Sequence, residues 1–219
     1  MENNIATNIR RIRTTIPAGV QYVVVSKYRP VEELQAAYDA GERVFAESRP
    51  VELAAKVPQL PSDINWHFIG HLQTNKLKLV LPHCSLIQSV DSVHLMEAIE
   101  RFAAASGMQV NILVEVHIGQ EESKQGFTPQ ETMQFFTDRE FERFPHINFC
   151  GLMGMASNTD DEAVIEGDFA RIHDLFSRIS KLSHCPAQFR ELSIGMSQDY
   201  VLALRHGATM VRIGSATFM

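Results

Sequence analysis

Short runs of consecutive apolar residues alternate along this chain with longer stretches in which apolar residues return at helical spacing. Ile5, Ile9, Ile12 and Ile16 form one apolar stripe among Arg10, Arg11 and Arg13, predicting a helix over 3–16 that Pro17 stops. Tyr22-Val23-Val24-Val25 predicts a strand over 20–26. Both of its faces are apolar, as in a parallel strand covered on two sides. Helices follow over 30–40, closed by Gly41, and over 48–56, with a strand at 43–46 between them and another at 65–70. Leu72, Lys76, Leu79 and Val80 suit a helix ending at Pro82, and 85–89 a strand. Asp91 is placed to cap a helix with the stripe Leu95, Met96, Ile99, Phe102 and Ala103. A strand at 110–116 comes next. Thr128-Pro129-Gln130-Glu131 then makes a capping box for a helix reaching about residue 137. A strand at 147–153, a helix at 161–182, a strand at 189–193, a helix from Ser197 to Gly207 and a strand at 209–213 complete the pattern.

Eight strands separated by seven helices, repeating roughly every 25 residues, predict a single (β/α)8 barrel with an extra N-terminal helix rather than an open doubly wound sheet. No eighth helix is predicted after the last strand, and the N-terminal helix is expected to cover that side. No linker interrupts the pattern, so 1–219 reads as one domain.

At 219 residues and 45% hydrophobic, the chain can bury a sizeable core. A net charge of −6 argues against non-specific binding to nucleic acid or an acidic membrane. No apolar run approaches the roughly 20 residues of a membrane span. Met1-Glu2-Asn3-Asn4 lacks a signal-peptide pattern. Cys84, Cys150 and Cys185 are far apart, so neither a disulfide framework nor a zinc knuckle is expected, and a reducing cytoplasm is the natural location.

In such a barrel chemistry sits at the C-terminal ends of the strands. Those ends here carry Lys27, Glu47 with Ser48, His67 to His71, Ser89 with Asp91, His117, Met153 to Met155, Ser193 to Ser197 and Arg212 to Ser215. Lys27 closes the most apolar strand. Burial at the rim would favour its neutral, nucleophilic amine; the bland alternative is a side chain snorkelling into water. The loops after strands 7 and 8, Gly195-Met196-Ser197 and Gly214-Ser215-Ala216-Thr217, occupy the barrel's usual phosphate site, with Ser197 expected at a helix N-terminus. The alternative there is an ordinary N-cap serine beside a tight terminal turn. Arg212 either pairs with Glu191 or Glu115, or donates to a ligand near the barrel axis. Met153 and Met155 read as apolar filling, and His67-x-x-x-His71 straddles a strand end, which is unlike a zinc pair. A lysine, a phosphate pocket and an arginine at one mouth suit pyridoxal 5'-phosphate. A sugar-phosphate aldolase would satisfy the first two equally well.

The chain resembles the pyridoxal phosphate homeostasis proteins, which share the barrel of fold type III pyridoxal phosphate enzymes such as the N-terminal domain of alanine racemase. The resemblance rests on Val24-Val25-Ser26-Lys27, His67 to Lys76, Lys124-Gln125-Gly126-Phe127, Gly151-Leu152-Met153-Gly154-Met155, Leu192 to Asp199 and Val211 to Phe218. It implies Lys27 as the Schiff-base lysine, Arg212 near the pyridine nitrogen, and Met196, Ser197, Gly214 and Ser215 around the phosphate. Ser48, His67, Met153 and Ser193 complete the candidate cofactor-binding set. The chain departs from the family in having Ala46-Glu47-Ser48 for Gly-Glu-Asn, and Tyr28 where a threonine is common. The expected role is a cytoplasmic, monomeric carrier or buffer of pyridoxal phosphate that meets apo-enzymes transiently. Racemases of this fold take their second acid/base from a further domain, and this chain ends about where strand 8 ends, so no dedicated catalytic residue is assigned. A weak amino-acid racemase is the alternative, with Tyr28 or Tyr200 near the rim, and a cofactor-free aldolase using Lys27 is a third.

Overall fold

The computed structural model describes residues 4–120 and 125–219; Met1 to Asn3 and Lys124 of the sequence motifs lie outside the described residues. Eight parallel strands close on themselves in sequence order, β8 pairing back to β1. They are β1 Gln21–Val25, β2 Val44–Glu47, β3 Asn65–Phe68, β4 Cys84–Val90, β5 Val110–His117, β6 Ile147–Met155, β7 Glu191–Met196 and β8 Met210–Ile213. The helices are α1 Asn4–Arg13, α2 Val31–Asp39, α3 Pro50–Lys56, α4 Leu77–Val80, α5 Val93–Ser106, α6 Pro129–Thr137, α7 Glu162–Ser180, α8 Tyr200–Arg205 and α9 Ser215–Phe218. Closure removes every sheet edge and buries both faces of each strand, which is why the strands are written as near-continuous apolar runs. Among the described residues no helix is long and apolar enough to cross a membrane.

The core divides in two. Outward strand residues such as Val24, Phe45, Ile87, Ile112 and Leu192 pack under the helices, while Val23, Val44, Ala46, Leu86, Leu113, Met153 and Met210 fill the lumen. Four of the strand pairings carry register shifts, and two of them decide which side chains of β6 and β7 enter the lumen. In β6 the pairing with β5 steps from Phe149 to Gly151, and in β7 the pairing with β8 steps from Ser193 to Met196. Each inserted residue reverses the in–out alternation beyond it. Phe149 therefore faces outward into the aromatic layer of Phe135, Phe136 and Phe144, yet Met153 faces inward. Both bulges contain a glycine at positive φ, Gly151 at 152° and Gly195 at 91°. A Cβ on Gly151 would stand 1.8 Å from the Glu191 carbonyl oxygen.

Several expectations need correction. The helix foreseen across Leu72 to Val80 is a 3-10 turn at Thr74–Lys76 followed by the single turn of α4, because Thr74 and Asn75 are weak helix formers and only Leu77 and Val80 share its buried face. Ser92, not Asp91, caps α5, accepting from Leu95 N at 3.3 Å. The strand foreseen at 189–193 starts and ends later, at 191–196. The helix expected from Ser197 starts only at Tyr200, since the bulge and the Gly195 turn carry the chain onward first. A short eighth helix, α9, does follow β8. The side of the barrel assigned to α1 is thus shared: Asn8 Nδ2 donates to the Thr217 and Met219 carbonyls at 3.2 and 2.7 Å, and the buried Tyr22 and Thr217 hydroxyls lie 2.5 Å apart.

Gly151→Ala should destabilise the barrel by roughly 3 kcal/mol or more, since strand must be pushed from strand. Urea unfolding of the purified variant reads this directly, and a loss below about 1 kcal/mol would show that the bulge can relax.

Candidate functional site

β1, β2, β3, β6, β7 and β8 deliver their C-terminal ends to one cavity of about 310 Å³. Eight of the ten predicted site residues line it: Lys27, Ser48, Met153, Met196, Ser197, Arg212, Gly214 and Ser215. Val25, Ile69, Met155, Gln198 and Asp199 complete the wall. A larger groove of about 800 Å³ between α6 and α7 lies on the outer surface, remote from the strand ends. The smaller cavity holds the convergent polar groups, and those identify a site better than volume does.

Lys27 is exposed rather than held within an apolar rim, and its amine has no hydrogen bond or ion pair among the described residues. It is a primary amine presented at the cavity mouth with nothing to displace. Arg212 is its opposite. At 4% exposure its guanidinium sits on the cavity floor, where burial lowers its pKa to about 10, so it stays charged at neutral pH. It forms no contact ion pair with Glu191 or Glu115. Glu191 instead accepts from the Thr209 hydroxyl at 2.6 Å. Arg212 donates from Nη1 to the Ser193 carbonyl and hydroxyl at 2.8 and 2.7 Å, and from Nη2 to the Gly154 carbonyl at 2.9 Å.

The remaining two predicted residues lie beneath the cavity rather than on its wall. Ser193 Oγ donates to Gln88 Oε1 at 2.6 Å, and Gln88 Nε2 donates to His67 Nδ1 at 2.9 Å. The direction of this chain assigns His67 Nδ1 as an acceptor, hence a neutral ring protonated on Nε2. Burial alone agrees, pulling the His67 pKa down to about 4. His67 and Ser193 therefore orient Arg212 from below. Gln88, the link between them, is a residue that sequence reasoning missed. Its only signal was a lone amide among the apolar residues of β4.

On the far wall, Ser197 Oγ accepts from Gly214 N at 3.1 Å and Ala216 N at 3.4 Å. Two main-chain donors thus converge on one oxygen, the local arrangement an anion requires. Gly214 comes within 3.2 Å of the Val25 side chain at the position a Cβ would take, so the loop lies tight on β1. Ser197 contributes as a hydroxyl in a loop and not as the start of a helix. Asp199 brings a carboxylate into the same cavity, turned aside by Met196 N at 2.5 Å. The other rim residues serve locally: Ser89 Oγ donates to the Gly70 carbonyl at 2.6 Å and His71 lies 3.2 Å from Asp91. Among the described residues no three His, Cys, Asp or Glu side chains gather as a metal site.

Comparison with known proteins fits this geometry. The family described as alanine racemase, N-terminal domain, matches residues 2–219. The pyridoxal phosphate homeostasis protein of Pasteurella multocida is 35% identical over 204 residues, 92% of this chain and 86% of that protein. PipY of Synechococcus elongatus superimposes with a TM-score of 0.92 at 31% identity without PLP and 0.88 at 30% identity with PLP bound, covering 98% of this chain and 100% of that one. An alanine racemase of Clostridium difficile shares the fold alone: TM-score 0.80 at 16% identity, over 98% of this chain and 55% of that one. The chain belongs to the family of the alanine racemase N-terminal domain and, within it, to the pyridoxal phosphate homeostasis proteins.

Proposed function

We propose that this chain binds pyridoxal 5'-phosphate in the barrel-mouth cavity through Lys27 and serves intracellular pyridoxal phosphate homeostasis as a carrier or buffer. The reading treats 1–219 as one domain, monomeric and cytoplasmic, handing cofactor transiently to apo-enzymes. The observation that carries it is the gathering of three groups around one cavity: an unencumbered amine, a buried guanidinium and two main-chain N–H groups focused on one point. These match an aldehyde, a ring-nitrogen acceptor and a phosphate in turn. A sugar-phosphate aldolase would leave the guanidinium without a purpose. PipY, so close in structure, has been solved with PLP bound.

When bound, the cofactor supplies an electrophilic aldehyde and an electron-accepting ring. The chain's own residues favour holding over turnover. Lys27 supplies the amine. Arg212 can only donate a hydrogen bond, so a ring nitrogen held against it would stay unprotonated and the ring would be a weak electron sink, where a carboxylate would do the reverse. The racemase alternative gains no support from the rim tyrosines. Tyr200 OH is 2.9 Å from Thr15 Oγ1 in the turn after α1, and Tyr28 is 67% exposed against Arg49.

Glu115 adds an ionisable group close enough to Arg212 for the two to interact electrostatically. Its carboxyl on β5 is 6% exposed, and burial together with nearby Asp91 raises its pKa to about 7, opposed by Arg212.

Adding pyridoxal phosphate to the purified protein should produce a visible absorption band that Lys27→Ala abolishes; a band that survives the substitution, or none in the parent, overturns the reading. Amino-acid turnover well above that of free cofactor would overturn the carrier role in favour of an enzyme. A raised folded-state pKa means that Glu115 contributes stability below about pH 4 that is lost as pH rises to about 7, on the order of 3 kcal/mol. Buried His67 acts in the opposite sense, its contribution lost as pH falls towards about 4. The informative quantity is therefore a difference. Parent minus Glu115→Gln unfolding free energy should fall between about pH 5 and pH 7, and a flat difference would place Glu115 in water.

A further inference from the structure

Among the described residues the Lys27 amine has no hydrogen bond or ion pair, so its aim depends chiefly on its backbone, and a buried cation holds that backbone from beneath. Lys56, on α3, is 7% exposed. Its Nζ donates to the carbonyl of Ser26, the residue before Lys27, at 2.9 Å and to Glu47 Oε2 at 2.6 Å. Glu47 is fully buried at the end of β2. The same Oε2 accepts from Ser26 Oγ at 3.1 Å, while Oε1 accepts from Ser48 N at 2.7 Å. Lys56 also reaches Glu52 Oε2 at 3.3 Å, and that oxygen accepts from Tyr28 N at 3.4 Å. Tyr28 itself is held at φ 63°, with Arg49 over its ring and bonded to its hydroxyl at 3.2 Å. Lys27 thus stands between two tethered neighbours, and Ser48, beyond the end of the adjacent strand β2, is tethered to Glu47 as well.

Stability alone is a poor account of this arrangement. A buried ion pair is commonly no more stable than neutral side chains of similar shape, because desolvation offsets the attraction. Each end of this pair, however, bonds a main-chain group flanking the cavity. Resting on the function proposed above, we infer that Lys56, through Glu47 and Glu52, is the positioning residue for the Lys27 amine, setting the backbone at residues 26–28 and 48 so that the amine meets a bound aldehyde. Capture of an aldehyde depends on such placement; a misplacement near 1 Å can cost about a hundredfold in rate.

Three variants test it. Lys56→Met alone strands the Glu47 charge and should lower the melting temperature. Adding Glu47→Gln removes that charge and should restore melting close to the parent, yet the double variant should capture pyridoxal phosphate at least tenfold more slowly, a loss that a purely structural pair would not leave behind. Lys56→Arg, which keeps a cationic donor, should recover most of the rate. In the cofactor-free proteins, amide hydrogen exchange at residues 26–28 and 48 should quicken in the double variant while that of β5 and β6 does not. Parent-like capture by the double variant overturns the inference. Failure of the parent to capture overturns the proposed function instead, and unchanged exchange at residues 26–28 and 48 would then overturn the positioning role on its own.

Discussion

A guanidinium almost wholly buried in a closed barrel has little water to turn to, and much of the mouth follows from satisfying it. Arg212 takes its acceptors from β6 and β7, Ser193 passes the demand to Gln88 on β4, and Gln88 passes it to His67 on β3. One directed chain of donors therefore crosses the lumen and ends on a neutral imidazole. Leaving any link unpaired inside this low-dielectric space would be costly, so the chain fixes rotamers on four strands at once. The cavity floor is rigid because its charge is buried, and the floor sets where a ring could lie.

The barrel was largely legible in the sequence. Doubly buried strands leave apolar runs such as Tyr22 to Val25, and the helices between them keep their stripes and caps; the Thr128–Glu131 capping box forms as written. Most of the candidate site was legible too, since strand ends converge by topology. What the chain does not display is register. Nothing in Gly151 or Gly195 announces a bulge, yet the bulges turn Met153 and Met196 towards the cavity. Ser193 and His67 were read as wall residues because a strand end and a lumen position carry the same kinds of side chain. Nothing in the sequence marks Lys56, and only the folded structure shows it buried against Glu47 and the Ser26 carbonyl.

Family membership and site geometry give different kinds of information. The relationship to the racemase domain accounts for the barrel, at an identity that speaks for fold alone. The Pasteurella multocida protein and PipY match over 92% and 98% of this chain. On the proposed reading, an arginine at the floor would favour holding over transforming, because a permanent donor would stabilise a ring as it stands and do little for charge developing on it.

The exposure of Lys27 has a consequence for how firmly anything is held. A lysine in free solvent samples many rotamers, and confining it to one costs up to about 2 kcal/mol of entropy. An amine already packed into place would have met that cost during folding. If Lys27 captures the cofactor as proposed, the cost would fall due at each capture and be returned at each release, weakening the hold by up to about thirtyfold. Looseness confined to one side chain is a simple way to make a strong chemical bond serve as a reversible grip.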